Sequence, residues 1–250
     1  MSIAIGDDHV ALLESVRRFT GDRCGRSVVR AAVDAAEEAL PPFWDDLAAL
    51  GWLGLHLPTA DGGEGYGVAE LAVVLEELGR SLTPGPFLPT VLASAAISRG
   101  GGSAELLREL AAGRQIGTVA LGDPLAGEAW ANGAVLATGS SGPVLCGALA
   151  DVVVVPVTIG DEERWYTVAR ARGTTTPLES LDPTRRLADV AFDGVELALD
   201  DHLAGLDRAT LDAMAAVLAA ADAAGGAAWC LDTAGAYAAV RTQFGRPIGQ

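Results

Sequence analysis

Apolar positions three and four apart dominate the first half of the chain. In "DDHVALLESVRRFT", residues 7–20, Leu12, Val16 and Phe19 share one face of a helix behind an Asp cap, and Gly21 is expected to end it. "EALPPFWDDLAALGW" reads as a Pro-initiated helix stopped by Gly51. "VAELAVVLEELGR" reads as a strongly apolar helix closed by Gly79 with Arg80 just beyond, and "SAELLRELAAG" as a further helix before Gly113. The pattern then shortens: "GTVALGD", "GAVLATG", "ADVVVVPVTI", "RWYTVARA" and "LADVAFDGVEL" are Val- and Thr-rich runs between Gly, Pro and Asp, the mark of antiparallel strands joined by tight turns. From Asp207 an alanine-dense pattern predicts one more helix of roughly 35 residues, about 50 Å long, interrupted at Gly225 and Gly226. Its small residues favour close packing against other helices, so it reads as the first member of a bundle. The fold class is α+β: a helical domain over 1–115, a central antiparallel β domain over 116–205, and the first bundle helix over 206–250.

Composition narrows what such a chain can touch. The 250 residues are 50% hydrophobic, enough to bury a sizeable core, and carry 33 acidic against 17 basic groups for a net charge of −16. That balance repels nucleic acid and anionic lipid, so neither is expected as a partner. An anionic cofactor would have to be held by a few arginines or backbone amides. Cys24, Cys146 and Cys230 are odd in number and form no CxxC pair, as expected of buried small residues in a reducing compartment. His9, His56 and His202 lack ligand spacing, so no metal is expected. The acidic N-terminus has no signal-peptide pattern and no run nears about 18 uninterrupted apolar residues, which predicts a cytoplasmic protein outside the membrane.

Three stretches carry a family resemblance. "LGWLGLHLPTADGGEGYGVAELAVVLEELGR" at 50–80, "LDPTRRLADVAFDGVEL" at 181–197 and "YAAVRTQFGRPIGQ" at the end stand in the order and spacing of the acyl-CoA dehydrogenases, and the chain resembles that flavoprotein family along nearly its whole length. The resemblance implies FAD as cofactor, an acyl-CoA thioester as substrate and an electron-transfer-flavoprotein-like acceptor. It implies that Arg241, Gln243 and Phe244 of R-x-Q-F-G leave one subunit's bundle to bind the pyrophosphate of FAD held mainly by a neighbour. A guanidinium fork suits paired phosphate oxygens. In the first β segments, Leu121 and Gly122 of "ALGDPLAGEAW" fall at the flavin-contacting stretch, and Pro143 and Leu145 of "GSSGPVLCGALAD" fall at the family's Trp and Thr positions.

The departures matter as much. Gly122, Asp123 and Pro124 replace Thr-Glu-Pro, no Gly-Ser-Asp follows, and Pro143 and Leu145 remove an indole and a hydroxyl, which points to a degenerate flavin pocket. The family's base is a carboxylate, yet "MAAVLA" at 214–219 has none. Asp212 and Asp222 stand nearby as helix-surface acids, and no catalytic residue is assigned. Such departures resemble actinobacterial dehydrogenases of steroid side-chain breakdown, where two unlike folds share the work as a heterotetramer or in one double-length chain. The expectation is that this chain is one such half, Arg241 reaching a flavin seated in its partner. The family's bundle continues beyond Gln250, so the chain is expected to be part of a longer polypeptide.

Two rival readings stand beside it: a flavin-poor fold that only supports an active partner, and an unrelated scaffold protein. "GGEGYG" at 62–67 follows no buried strand and is not a dinucleotide loop, and "GSSG" at 139–142 lacks the spacing of a nucleophile elbow.

Overall fold

The computed structural model describes residues 6–130 and 133–250. Six helices come first: α1 (Asp7–Arg23), α2 (Arg26–Asp34), α3 (Trp44–Ala48), α4 (Val68–Arg80), α5 (Phe87–Gly100) and α6 (Ala104–Ala111). The first helix runs through Gly21 to Arg23, and its N-cap is Gly6, whose N–H donates to Nδ1 of His9, so Asp7 begins the helix instead of capping it. The Pro-initiated helix is only the five-residue α3. Two helices were not expected. The nine-residue α2 is short, and α5 is apolar on nearly every side, with ten buried residues and no polar stripe for a periodicity to detect. Between α3 and α4 the "PTADGG" turn needs both its glycines: Gly62 has φ +83°, and a Cβ on Gly63 would stand 2.2 Å from the Leu57 carbonyl oxygen.

Seven strands follow: β1 (Gly117–Val119), β2 (Leu125–Ala129), β3 (Val135–Leu145), β4 (Val152–Ile159), β5 (Glu162–Ala169), β6 (Thr174–Pro177) and β7 (Leu187–Leu197). The sheet is mixed, and here the expected all-antiparallel domain is corrected. Its path is β1-β4-β2-β3-β7-β6 with β5 on the other side of β4, and both β1 and β2 run parallel to β4. They lie end to end along one edge of β4, β1 against Val152–Val154 and β2 against Val157–Ile159, with β3 supplying the return that a parallel pairing requires. The valine run of β4 is buried on both faces: Val152 and Val154 point into the helical core, while Val153, Val155 and Val157 point into a second core inside the β region.

The last long element is α7 (Arg208–Val240), followed by a small hairpin of β8 (Thr242–Gln243) and β9 (Arg246–Pro247). The helix is continuous for 33 residues; Gly225 and Gly226 do not interrupt it. Gly225 is buried at the crossing with α4, where a Cβ would fall 1.8 Å from the Glu76 carbonyl oxygen. From the other side, a Cβ on Gly79 would fall 2.1 Å from the Asp222 carbonyl oxygen. Gly79 is therefore not the end of α4, which continues to Arg80; it is half of a backbone-to-backbone contact. Arg185 pins the same crossing, donating to Asp182 at 3.3 Å and to Asp222 at 2.9 Å. By length and composition α7 could also cross a bilayer, with a mean hydropathy of 1.5 over its most apolar window. Sequence reading missed this because Asp212, Asp222 and Asp232 break every uninterrupted run.

Candidate functional site

Residues 120–124 join β1 to β2 at the surface. The Ala120 N–H donates to the Val154 carbonyl at 2.9 Å, which fixes the start of the loop; Leu121 and Gly122 then run exposed. Gly122 abuts β3, its Cβ direction meeting the Ser141 carbonyl oxygen at 3.0 Å. There β3 is irregular between Ser140 and Pro143, and the Ser141 hydroxyl mends the ladder by accepting the Val190 N–H at 3.2 Å. Beyond it Pro143 is exposed and Leu145 half-buried, the Leu145 carbonyl accepting the Thr118 hydroxyl of β1 at 2.7 Å. Leu121, Gly122, Pro143 and Leu145 thus border one edge of the sheet.

Arg241, Gln243 and Phe244 do not join them. They follow the far end of α7, where the Arg241 N–H donates to the Tyr237 carbonyl at 2.8 Å and the hairpin closes through Ile248 N–H to the Arg241 carbonyl at 2.9 Å. Phe244 sits at φ +51° with its side chain fully exposed. Among the described residues no carboxylate pairs with Arg241. The near end of α7 touches the 120–124 loop and the far end carries Arg241, so the two groups stand about 50 Å apart, 33 residues at 1.5 Å each.

The joint at the near end is Arg208, which sequence reading passed over. Asp207 caps α7 by accepting the Thr210 N–H at 2.8 Å, leaving Arg208 in the first turn, where the helix dipole opposes a cation. That misplacement was the available signal. Its compensation is Glu163 of β5, which accepts from Nε and Nη2 at 2.9–3.2 Å and raises the guanidinium pKa further. The plane lies 4.9 Å from the centre of the buried Trp165 ring. Nη1 and Nη2 then donate to the carbonyls of Leu121 at 3.0 Å and Gly122 at 3.3 Å.

Neither Asp212 nor Asp222 has the surroundings of a base: Asp212 is exposed, and Asp222 is half-buried in its ion pair with Arg185. His56 is half-buried, and the loss of hydration pushes its pKa down to about 4; its Nε2 lies 3.1 Å from the Ser94 hydroxyl at the side of the helical core. Cys24 and Cys146 are buried as expected, but Cys230 is exposed on α7. A cavity of about 1200 Å³ lies between α1, α2, the end of α4 and α7; Arg17 is paired across it with Glu77, and Arg80 with Asp232. None of the seven sequence-predicted binding residues lines it. In one chain the 120–124 edge is an open surface instead of a pocket. What that edge offers a flavin ring is main chain and apolar surface: among the described residues the N–H groups of Leu121, Gly122 and Asp123 have no acceptor, while the side chains of Pro143 and Leu145 offer no hydrogen bond. That fits a ring gripped by backbone amides and not by hydroxyls.

A helical layer, a mixed β layer and a long bundle helix, with amides at one end and an arginine at the other, are the parts of a flavoprotein dehydrogenase. The model of the acyl-CoA dehydrogenase N-terminal domain matches residues 6–113. Acyl-CoA dehydrogenase IpdE2 of Mycobacterium tuberculosis is 34% identical over 97% of this chain and 67% of its own length. The solved ChsE4-ChsE5 complex of Mycobacterium tuberculosis superposes with a TM-score of 0.90 at 26% identity, covering all of this chain and 71% of that one. A steroid acyl-CoA dehydrogenase variant, Tcur3481-Tcur3483, gives 0.86 at 26% identity over 99% of this chain and 71% of that one. The chain belongs to the acyl-CoA dehydrogenase family.

Proposed function

We propose that this chain works as part of a two-fold acyl-CoA dehydrogenase that introduces an α,β double bond into a bulky CoA thioester, of the steroid side-chain class. The observation that carries the reading is the separation along α7: Leu121 and Gly122 at one end and Arg241 at the other cannot serve one flavin, so each end completes a site with a neighbouring fold. The Gly122 and Asp123 amides, with Pro143 and Leu145 as apolar wall, border the ring edge of one site. Arg241, with Gln243 and Phe244, reaches the pyrophosphate of the next. FAD, when bound, supplies the hydride acceptor. The base that takes the α-proton is not assigned to this chain's residues, and an electron-transfer flavoprotein is the acceptor the family implies. That Tcur3481-Tcur3483 is a steroid enzyme, and that ChsE4-ChsE5 is a complex of two unlike names, supports the substrate class and the unlike partner. The unpaired cysteines fit a cytoplasmic setting.

A second reading, a flavin-poor fold paired with an active one, is favoured by Pro143 and Leu145, where the family places an indole and a hydroxyl. One experiment separates the two: the flavin-to-fold ratio, from absorbance between 300 and 550 nm, of the intact assembly and of its Arg241→Ala variant. One flavin per fold, with half or more lost in the variant, supports the first reading. One-half per fold in the parent selects the second, and a full complement unaffected by Arg241→Ala refutes both.

A further inference from the structure

We propose that Arg208 is a positioning residue for the flavin, acting through the peptide groups of the 120–124 loop. The proposal rests on the reading that this edge borders a flavin ring. Two successive carbonyls, of Leu121 and Gly122, accept from one guanidinium at 3.0 and 3.3 Å. The peptide bonds there are trans, so the N–H of each unit points opposite to its C=O. Drawing both oxygens towards α7 therefore turns the N–H groups of Gly122 and Asp123 away from it, and among the described residues neither has an acceptor. An unrestrained Leu-Gly-Asp loop would sample many orientations at this point. The guanidinium removes that freedom because it is itself held on two sides, by Glu163 at 2.9–3.2 Å and by the Trp165 ring at 4.9 Å. The planar fork is essential: two carbonyls and a carboxylate are met at fixed angles, which an ammonium cannot do. Arg208 thus compensates for the indole and the hydroxyl missing at Pro143 and Leu145 by holding main-chain donors ready, so that their ordering is complete before a ligand arrives.

The test uses the intact assembly, stripped of flavin and titrated with FAD, in the parent and in Arg208→Gln, Arg208→Lys and Leu211→Ala. Leu211 is fully buried three residues further along α7, in the helical core, and its side chain has no polar group to bond the loop, so it reports simple loosening of the helix end. Arg208→Gln should weaken FAD binding by about tenfold, the effect of losing a charge-assisted hydrogen bond, and shift the flavin reduction potential. Arg208→Lys should recover only part of both. Leu211→Ala should lower the denaturant midpoint by as much or more, yet leave affinity and potential within about twofold of the parent. Parental affinity and potential in Arg208→Gln overturn the proposal, as does an equal loss in Leu211→Ala. If the parent carries no flavin on this fold, the reading of the edge fails and the proposal falls with it; flavin present but indifferent to Arg208 sinks the proposal alone.

Discussion

The α4–α7 crossing gives the sharpest prediction about the fold, because glycine is replaced most easily in most helices and least easily here. An exposed helical Gly→Ala gains about 1 kcal/mol from backbone entropy. At Gly225 the added methyl carbon would lie 1.8 Å from the Glu76 carbonyl oxygen, 2.6 Å from the Arg80 nitrogen and 2.8 Å from the Glu76 carbonyl carbon. Real contacts are 3.0 Å or longer, so one backbone must retreat by at least 1.2 Å, the difference between 3.0 and 1.8. That retreat would pull Leu218 out of the core and stretch the 2.9 Å pair of Arg185 with Asp222. Overpacking of this kind costs about 1–3 kcal/mol, and the loosened pair adds to it, so Gly225→Ala should lose about 3 kcal/mol net. Gly235 has nothing within 4 Å of its Cβ direction, and Gly235→Ala should instead gain about 0.5–1 kcal/mol. Urea unfolding of both variants beside the parent reads the difference directly. Equal midpoints for the two variants would refute the claim that the helices meet backbone to backbone.

Other expectations follow from the same packing. Asp222→Asn leaves the Arg185 guanidinium half-paired where both partners are only 16% exposed, and should cost about 2–4 kcal/mol in the same assay. His56 is neutral in the fold, its pKa held near 4 by burial, but takes up a proton near 6.5 when unfolded. The unfolded chain therefore binds the extra proton between those values. Stability should be level in this respect above pH 6.5 and should fall by about 3 kcal/mol as pH drops to 4, a slope that His56→Gln removes in a pH series of unfolding curves. Ser94→Ala strands the His56 Nε2 and should cost about 1–2 kcal/mol at pH 7 by thermal melting.

Much of the architecture was legible because it is written in local periodicity. The spacing of Leu12, Val16 and Phe19, the Val152–Val155 run and the alanine-rich stretch from Asp207 each report the surroundings of their own residues, and the order helix, sheet, long helix follows from them. The R-x-Q-F-G string around Arg241 is visible in the same local way, and its pyrophosphate role rests on the family resemblance. What escaped depends on contacts between residues far apart in the chain. Gly79 and Gly225 looked like a stop and an interruption, the usual local meaning of glycine, whereas their role is set by a fold that brings together two backbones with 145 residues between them. The parallel course of β1 and β2 along β4 is invisible to a period of two, which is the same for either direction. Arg208 showed locally only as a cation at the wrong end of a helix; Glu163, Trp165 and the Leu121 and Gly122 carbonyls became its partners through packing alone. Local pattern is enough to fix the elements and their order, since burial and turn preference act within a few residues. Packing alone sets the Leu121–Gly122 loop and Arg241, the two proposed binding groups, at opposite ends of a continuous 33-residue helix, because only a folded chain turns distance along the sequence into distance in space.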